Sequence, residues 1–149
     1  MSRESILARF AAGWITDSPL ETETAGAALA EVLPPDTVLA LHGDLGAGKT
    51  TFVRGLARAW GESGPVTSPT FNYFLLYRGR RQLLHLDAYR LTRPEDYDSL
   101  LIDEFLESPW CLAVEWPENL GNRLSENSWH LFFAIPEESR RVLTLAPPA

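Results

Sequence analysis

Gly43-Asp44-Leu45-Gly46-Ala47-Gly48-Lys49-Thr50 is the run in this chain whose residue types and spacing dictate a chemistry, and its lysine is the only one in the sequence. Glycines let a loop curl until successive backbone N–H groups converge on a phosphate. In the G-x-x-x-x-G-K-[ST] pattern, known as Walker A, the lysine reaches the β- and γ-phosphates, the hydroxyl goes to Mg²⁺, and the next helix aims its positive N-terminus at the same charge. The expected ligand is a nucleoside triphosphate. Its expected binding set is Asp44, Leu45, Gly46, Ala47, Gly48, Lys49, Thr50 and Thr51.

Such a loop works only between a strand and a helix, and both are written in the flanks. Thr37 to His42 is almost wholly apolar and β-branched at two positions, as a strand buried on both faces requires. Phe52, Val53, Leu56, Ala57 and Trp60 recur at helical spacing with Arg54 and Arg58 on the other face, and Gly61 and Gly64 supply stop signals.

Turnover of a triphosphate also needs a carboxylate for the metal and a group that orients the nucleophile. Leu83-Leu84-His85-Leu86-Asp87 and Cys111-Leu112-Ala113-Val114-Glu115 are both apolar strands ending in an acid. In an open α/β sheet that edge is also where the P-loop lies, so Asp87 is expected as a metal ligand and Glu115 as a water-orienting or outer ligand. A loop cap is the alternative role for each. His85 shares the strand face of Asp87 and is expected to be packed or hydrogen-bonded rather than a base. Thr67-Ser68-Pro69-Thr70 is a hydroxyl-rich turn, either a γ-phosphate sensor or an ordinary proline-fixed turn.

The remaining elements read as a single α/β domain over 1–149 without repeats. A short strand is expected within Arg9 to Thr16. A helix starts at Ser18-Pro19, carries Ala25, Ala28, Leu29, Val32 and Leu33 on one stripe, and stops at Pro34-Pro35. Thr70 to Tyr77 and Gln82 to Leu86 read as a hairpin, Pro94 to Leu106 as two helical pieces, Trp110 to Glu115 as a strand, and Ser128 to Leu145 as two strands around Pro136 to Ser139. The expected fold is a three-layer, P-loop NTPase-like α/β domain with a mixed parallel and antiparallel sheet.

A net charge of −7 disfavours autonomous nucleic-acid binding, leaving only a local basic patch at Arg78, Arg80 and Arg81. Cys111 is the only cysteine, so neither an intrachain disulfide nor a cysteine-based zinc cluster is expected. No signal-peptide succession and no membrane-length apolar run are present, so a soluble cytoplasmic protein is expected. Most aromatics are expected in the core, and the acidic stretch Asp96, Asp98, Asp103, Glu104 and Glu107 on a solvated face.

Taken together, the Walker A run with Thr51, then Ser68-Pro69-Thr70-Phe71, His85-Leu86-Asp87-Ala88-Tyr89-Arg90-Leu91 and Glu115-Trp116-Pro117-Glu118-Asn119 resemble the TsaE (YjeE) family of small bacterial P-loop ATPases, from about Thr22 to Arg140. The resemblance implies an accessory ATPase, using ATP and Mg²⁺, for threonylcarbamoyl modification of the adenosine beside the anticodon in ANN-decoding tRNAs. It implies work with the TsaD and TsaB proteins, with tRNA met only through that complex. By the same resemblance Thr50 and Asp87 are metal ligands and Glu115 completes the site. Trp116 packs beside that carboxylate, Ser68 and Thr70 sense the nucleotide, and Thr22 and Arg140 approach the base and ribose. The chain departs from the family at Thr67, where lysine is common, and at Leu101 and Ser139, where glycine is common.

Two readings compete with the accessory ATPase. A small-molecule kinase fits the P-loop and the size, but an arginine-rich helical lid is missing from the sequence and the Glu-Trp-Pro block has no role in one. A nucleotide-gated binding module with negligible turnover fits the same residues and differs in what drives function.

Overall fold

The computed structural model describes residues 1–61 and 73–148, together with the backbone of 65–67. Its centre is a sheet of eight strands in the order β1-β8-β7-β2-β6-β5-β4-β3. The strands are β1 (Trp14–Thr16), β2 (Thr37–His42), β3 (Pro65–Thr67), β4 (Phe74–Tyr77), β5 (Gln82–Asp87), β6 (Trp110–Glu115), β7 (Trp129–Glu137) and β8 (Arg140–Ala146). The middle strands β7, β2, β6 and β5 run parallel, and the hairpins at both flanks run antiparallel. This is the expected mixed sheet.

Side-chain alternation along the middle strands divides the interior into two cores. Leu39, Leu41, Leu83, Cys111, Ala113 and Leu131 face one side, where they meet Phe10, Leu29, Phe52 and Leu56 from the helices. Those helices are α1 (Arg3–Ala12), α2 (Pro19–Ala30) and α3 (Lys49–Ala59). Leu84, Leu86, Leu112 and Val114 face the other side, under a layer of short segments: α4 (Glu95–Asp98) and 3-10 turns at Ala88–Arg90, Ile102–Glu104 and Pro117–Arg123. Three layers result. α2 and α3 cross with backbones almost touching, because Gly26 and Gly55 face each other at the crossing.

Several elements differ from the sequence expectation. The short strand expected within Arg9 to Thr16 is present but confined to the end of that stretch; its first half belongs to α1, capped by Ser2 on the Ser5 N–H, with Ile6 and Phe10 one turn apart facing the core. Gly13, at φ +99°, ends that helix and leaves only Trp14–Thr16 for the strand. α2 stops at Ala30, before the proline pair, and Val32 and Leu33 are buried beyond its end. The described part of the Thr70 to Tyr77 strand is Phe74–Tyr77, and Gly64 lies outside the described residues. The strand Pro65–Thr67 and the 3-10 turn Pro117–Arg123 are additional to the sequence reading.

The arginine cluster also resolves differently. Arg81 is buried, giving hydrogen bonds to the carbonyls of Leu33 at 2.8 Å and Trp110 at 3.0 Å and to that of Pro34, with its guanidinium 4.6 Å from the Trp60 ring centre. Arg80 donates to the Ala59 carbonyl. Both side chains are committed to carbonyls of the fold, so the basic patch expected at Arg78, Arg80 and Arg81 is reduced to exposed Arg78 and the rim of Arg80.

Candidate functional site

The loop from Gly43 to Gly48 leaves β2 at the C-terminal edge of the parallel strands and turns directly into α3. Gly43 has no room for a side chain, since a Cβ there would lie 2.9 Å from Phe133 Cβ and 3.0 Å from its carbonyl oxygen. Gly48 takes the left-handed conformation at φ +98° and forms the N-cap of α3. No side chain caps α3, and its first turn holds no acid. The orphan N–H groups of this eleven-residue helix are therefore open to an anion, with the helix dipole favouring the same charge.

Lys49 is buried at the head of α3. Its Nζ donates to the Gly43 carbonyl at 2.6 Å, sits 4.6 Å from the Trp116 ring centre and lies 4.0 Å from Glu115 Oε1. Thr50 is exposed, and its hydroxyl donates to Glu115 Oε2 at 3.4 Å. Trp116 reaches the lysine because the chain turns sharply after β6, with Trp116 at φ +57°.

β5 and β6 pair in parallel with Asp87 opposite Glu115, so the two acid-tipped strands end side by side. Both acids follow His85 and Ala113 on the sheet face that packs against α3. Asp87 accepts the Tyr89 N–H at 3.1 Å through Oδ1, which makes it a cap of the following 3-10 turn as well as a lining residue. Glu115 is largely buried, and its Oε2 accepts from His85 Nε2 at 2.6 Å. Burial alone pushes the Glu115 carboxyl upward. The hydrogen bond from His85, with the charges of His85 and Lys49 and the Thr50 hydroxyl, outweighs burial and holds it below the usual carboxylate range.

A cavity of about 600 Å³ opens over this edge, lined by Leu45, Gly46 and the run from Gly48 to Thr51 and by Asp87, Tyr89, Glu115 and Trp116. Lys49, Thr50, Thr51, Asp87 and Glu115 thus share one space. Leu45 and Tyr89, 89% and 65% exposed, stand at its mouth. Ala47 is buried in the helical core instead, and Asp44 is exposed, its carbonyl accepting the Ala47 N–H. A second cavity of about 280 Å³ adjoins the other side of Gly46, Gly48 and Thr51 and is lined by Asp17, Thr22, Ser139 and Arg141. Thr22 lies there with its hydroxyl bonded to that of Thr16 at 2.7 Å. Arg140 does not line either space: its Nε pairs with Asp17 Oδ1 at 2.8 Å and approaches Glu137 Oε2 at 3.7 Å. Arg141 takes the position beside the loop, donating to the Gly46 carbonyl at 3.1 Å. Ser68 and Thr70 lie outside the described residues.

Three features escape sequence reasoning. One is Tyr89 at the cavity mouth, its ring 5.2 Å from that of Trp116. Another is Arg141, indistinguishable in sequence from its neighbour. The third is a histidine pair beneath the loop: His42 Nε2 and His130 Nδ1 are 2.8 Å apart, and the His42 ring stacks on Phe132 at 4.6 Å. Burial, and then the facing His130, push the His42 pKa down, against an opposing pull from Glu118. Among the described residues no group of three or more His, Cys, Asp or Glu is arranged to hold a metal ion by itself.

Comparison with known proteins points to one family. The family model "Threonylcarbamoyl adenosine biosynthesis protein TsaE" matches residues 16–143. The tRNA threonylcarbamoyladenosine biosynthesis protein TsaE of Treponema pallidum is 33% identical over 132 residues, covering 89% of this chain and 98% of that one. The protein of the same name from Bacillus subtilis is 33% identical over 132 residues, covering 88% and 82%. The crystal structure of Bacillus subtilis YdiB superposes with a TM-score of 0.71 at 30% identity, over 92% of this chain and 85% of that one. No helix among the described residues is long and apolar enough to cross a membrane. The mixed α/β sheet, the family model over most of the chain and these relatives together place the chain in the TsaE family of tRNA threonylcarbamoyladenosine biosynthesis proteins.

Proposed function

We propose that this chain binds ATP with Mg²⁺ and hydrolyses it as an accessory to the TsaB and TsaD proteins, supporting repeated rounds of threonylcarbamoyl transfer to tRNA without performing the transfer itself. The observation that carries the ATPase reading is the convergence of Lys49, Thr50, Asp87 and Glu115 on one cavity. A phosphate cradle alone would fit any nucleotide-binding module. Two carboxylates delivered to its edge fit turnover.

The donor set suits magnesium. One hydroxyl and two carboxylates are hard oxygen ligands, and Mg²⁺ is commonly held by one or two protein carboxylates with substrate phosphates completing the shell. Thr50 and Asp87 would hold it, with Glu115 completing the site, and an ion held there would supply charge neutralisation at the phosphate oxygens.

The protein's own residues do the rest. Loop N–H groups and the uncapped start of α3 bind the phosphates. Lys49 exchanges the Gly43 carbonyl for phosphate oxygens, a move of its Nζ alone. Glu115, kept ionised by its neighbours, is an acceptor able to orient a water for attack. Ser68 and Thr70 follow α3 in the chain and would answer to the γ-phosphate. On the far side of the loop, the space at Thr22 would take the nucleoside.

The test is ATP turnover by the wild-type chain and by Glu115→Gln, each with and without purified TsaB and TsaD, beside calorimetry of ATP binding. Wild type turns over and is stimulated by the pair. Glu115→Gln binds ATP but loses about 10²-fold in turnover, the scale of a lost general base. Wild-type turnover by the variant would remove Glu115 from the mechanism, and failure of the wild-type chain to hydrolyse under any of these conditions would leave a binding module.

A further inference from the structure

We propose that His85 is a positioning residue that fixes the orientation of the Glu115 carboxylate; the inference rests on the ATPase reading and adds to it a side chain outside the nucleotide cradle. His85 is 6% exposed and stands on β5 opposite Ala113, one side-chain repeat below Glu115 on the adjacent strand. Its ring therefore reaches Glu115 along the diagonal of a parallel pair, a contact long side chains make readily. The 2.6 Å separation is that of a charge-assisted bond. An ionised carboxylate only accepts, so Nε2 carries the proton.

The division of labour between the two carboxylate oxygens is what gives the contact a consequence. Oε2 takes the strong bond from His85 and the longer one from Thr50. Oε1 faces Lys49 at 4.0 Å. Among the described residues His85 makes the only short hydrogen bond to this carboxylate. Thr50 holds the carboxylate far more weakly, its contact being 3.4 Å. Without His85, the carboxylate is free to rotate toward the Lys49 ammonium, closing an ion pair inside the space the phosphates need. A catalytic oxygen displaced by about 1 Å can lose on the order of 10²-fold in rate without loss of substrate affinity.

Glutamine and asparagine separate this role from packing. Gln places an amide N–H near the position of Nε2, whereas Asn places one near Nδ1, away from Glu115. We expect His85→Asn to lower kcat about 10- to 100-fold with ATP affinity within about 2-fold, and His85→Gln to recover most of that loss. In the Glu115→Gln background, His85→Asn should remove nothing further. Equal kcat for the Asn and Gln variants, whether both fall or neither does, overturns the positioning role while an inactive Glu115→Gln leaves the ATPase reading standing. A fully active Glu115→Gln overturns the positioning role by removing Glu115 from the mechanism, and only a wild-type chain that fails to hydrolyse ATP overturns the ATPase reading.

Discussion

Gly55→Ala is a perturbation whose sign separates two physical arguments. Gly55 sits in the interior of α3, where helix propensity alone makes alanine better by about 1 kcal/mol. The packing argument points the other way. A Cβ at Gly55 would fall inside the van der Waals contact of the Glu23 carbonyl oxygen, 2.9 Å from the carbonyl carbon and 3.1 Å from Glu23 Cα. These are backbone atoms of α2, so no rotamer change relieves the clash and the helices must separate. Overpacking of this kind costs about 1–3 kcal/mol, and a rigid backbone obstacle belongs at the upper end; less the propensity gain, the net loss is about 2 kcal/mol. For a domain of this size the melting temperature should fall by roughly 4–8 °C, read by calorimetry. Gly26→Ala presses on the same crossing from α2, meeting the Phe52 carbonyl and lying 3.2 Å from Gly55 Cα. Because one separation relieves both clashes, the double variant should lose less than the sum of the singles. A melting temperature for Gly55→Ala at or above wild type would refute the packing argument.

Leu101→Gly should stabilise the chain, the opposite of the usual glycine effect. Leu101 is held at φ +53° and is 54% exposed, so glycine relieves about 1–2 kcal/mol of left-handed strain against roughly 0.5–1 kcal/mol of added unfolded-state entropy; a lower midpoint in urea contradicts this. His42→Gln should flatten the acid side of the stability profile. The folded His42 pKa lies below its ordinary value, so the unfolded chain binds the extra proton between the two, and stability falls as pH drops through that window. The loss of melting temperature between about pH 7.5 and about pH 5.5 should shrink in the variant, and an unchanged loss would exclude His42 as its source.

What could be read from the chain was what is local. The P-loop is legible because its chemistry, its strand and its helix are consecutive, and the acid-tipped strands are legible because parallel strands in an open sheet end at a common edge. The first helix escapes the sequence reading because its buried face is narrow, Ile6 and Phe10 with Leu7 beside them, and is followed by a β-rich Trp14-Ile15-Thr16 that dominates the window. The serine cap at Ser2 and the stop at Gly13 were the signals that could have found it.

The finer site residues fail for a different reason: strand periodicity is two, so an assignment one residue out selects the opposite face. Arg140 and Arg141 show this directly. They are chemically identical neighbours at the start of β8, yet Arg140 turns to Asp17 while Arg141 reaches the Gly46 carbonyl of the phosphate loop. Which arginine meets the loop is set by the register of β8 on β7, where Glu137 pairs with Arg140 after a register shift. The histidine pair depends on register in the same way. Ala40 lies opposite His130 and His42 opposite Phe132, so His42 and His130 meet only on the diagonal of β2 and β7, 88 residues apart in the chain. His85 and Glu115 meet on the corresponding diagonal of β5 and β6. Each strand's sequence sets which side chains share a face, but which partner they meet follows from pairing between distant strands. For that reason the phosphate cradle can be named from eight consecutive residues, whereas the residue that orients its carboxylate is visible only once β5 lies beside β6.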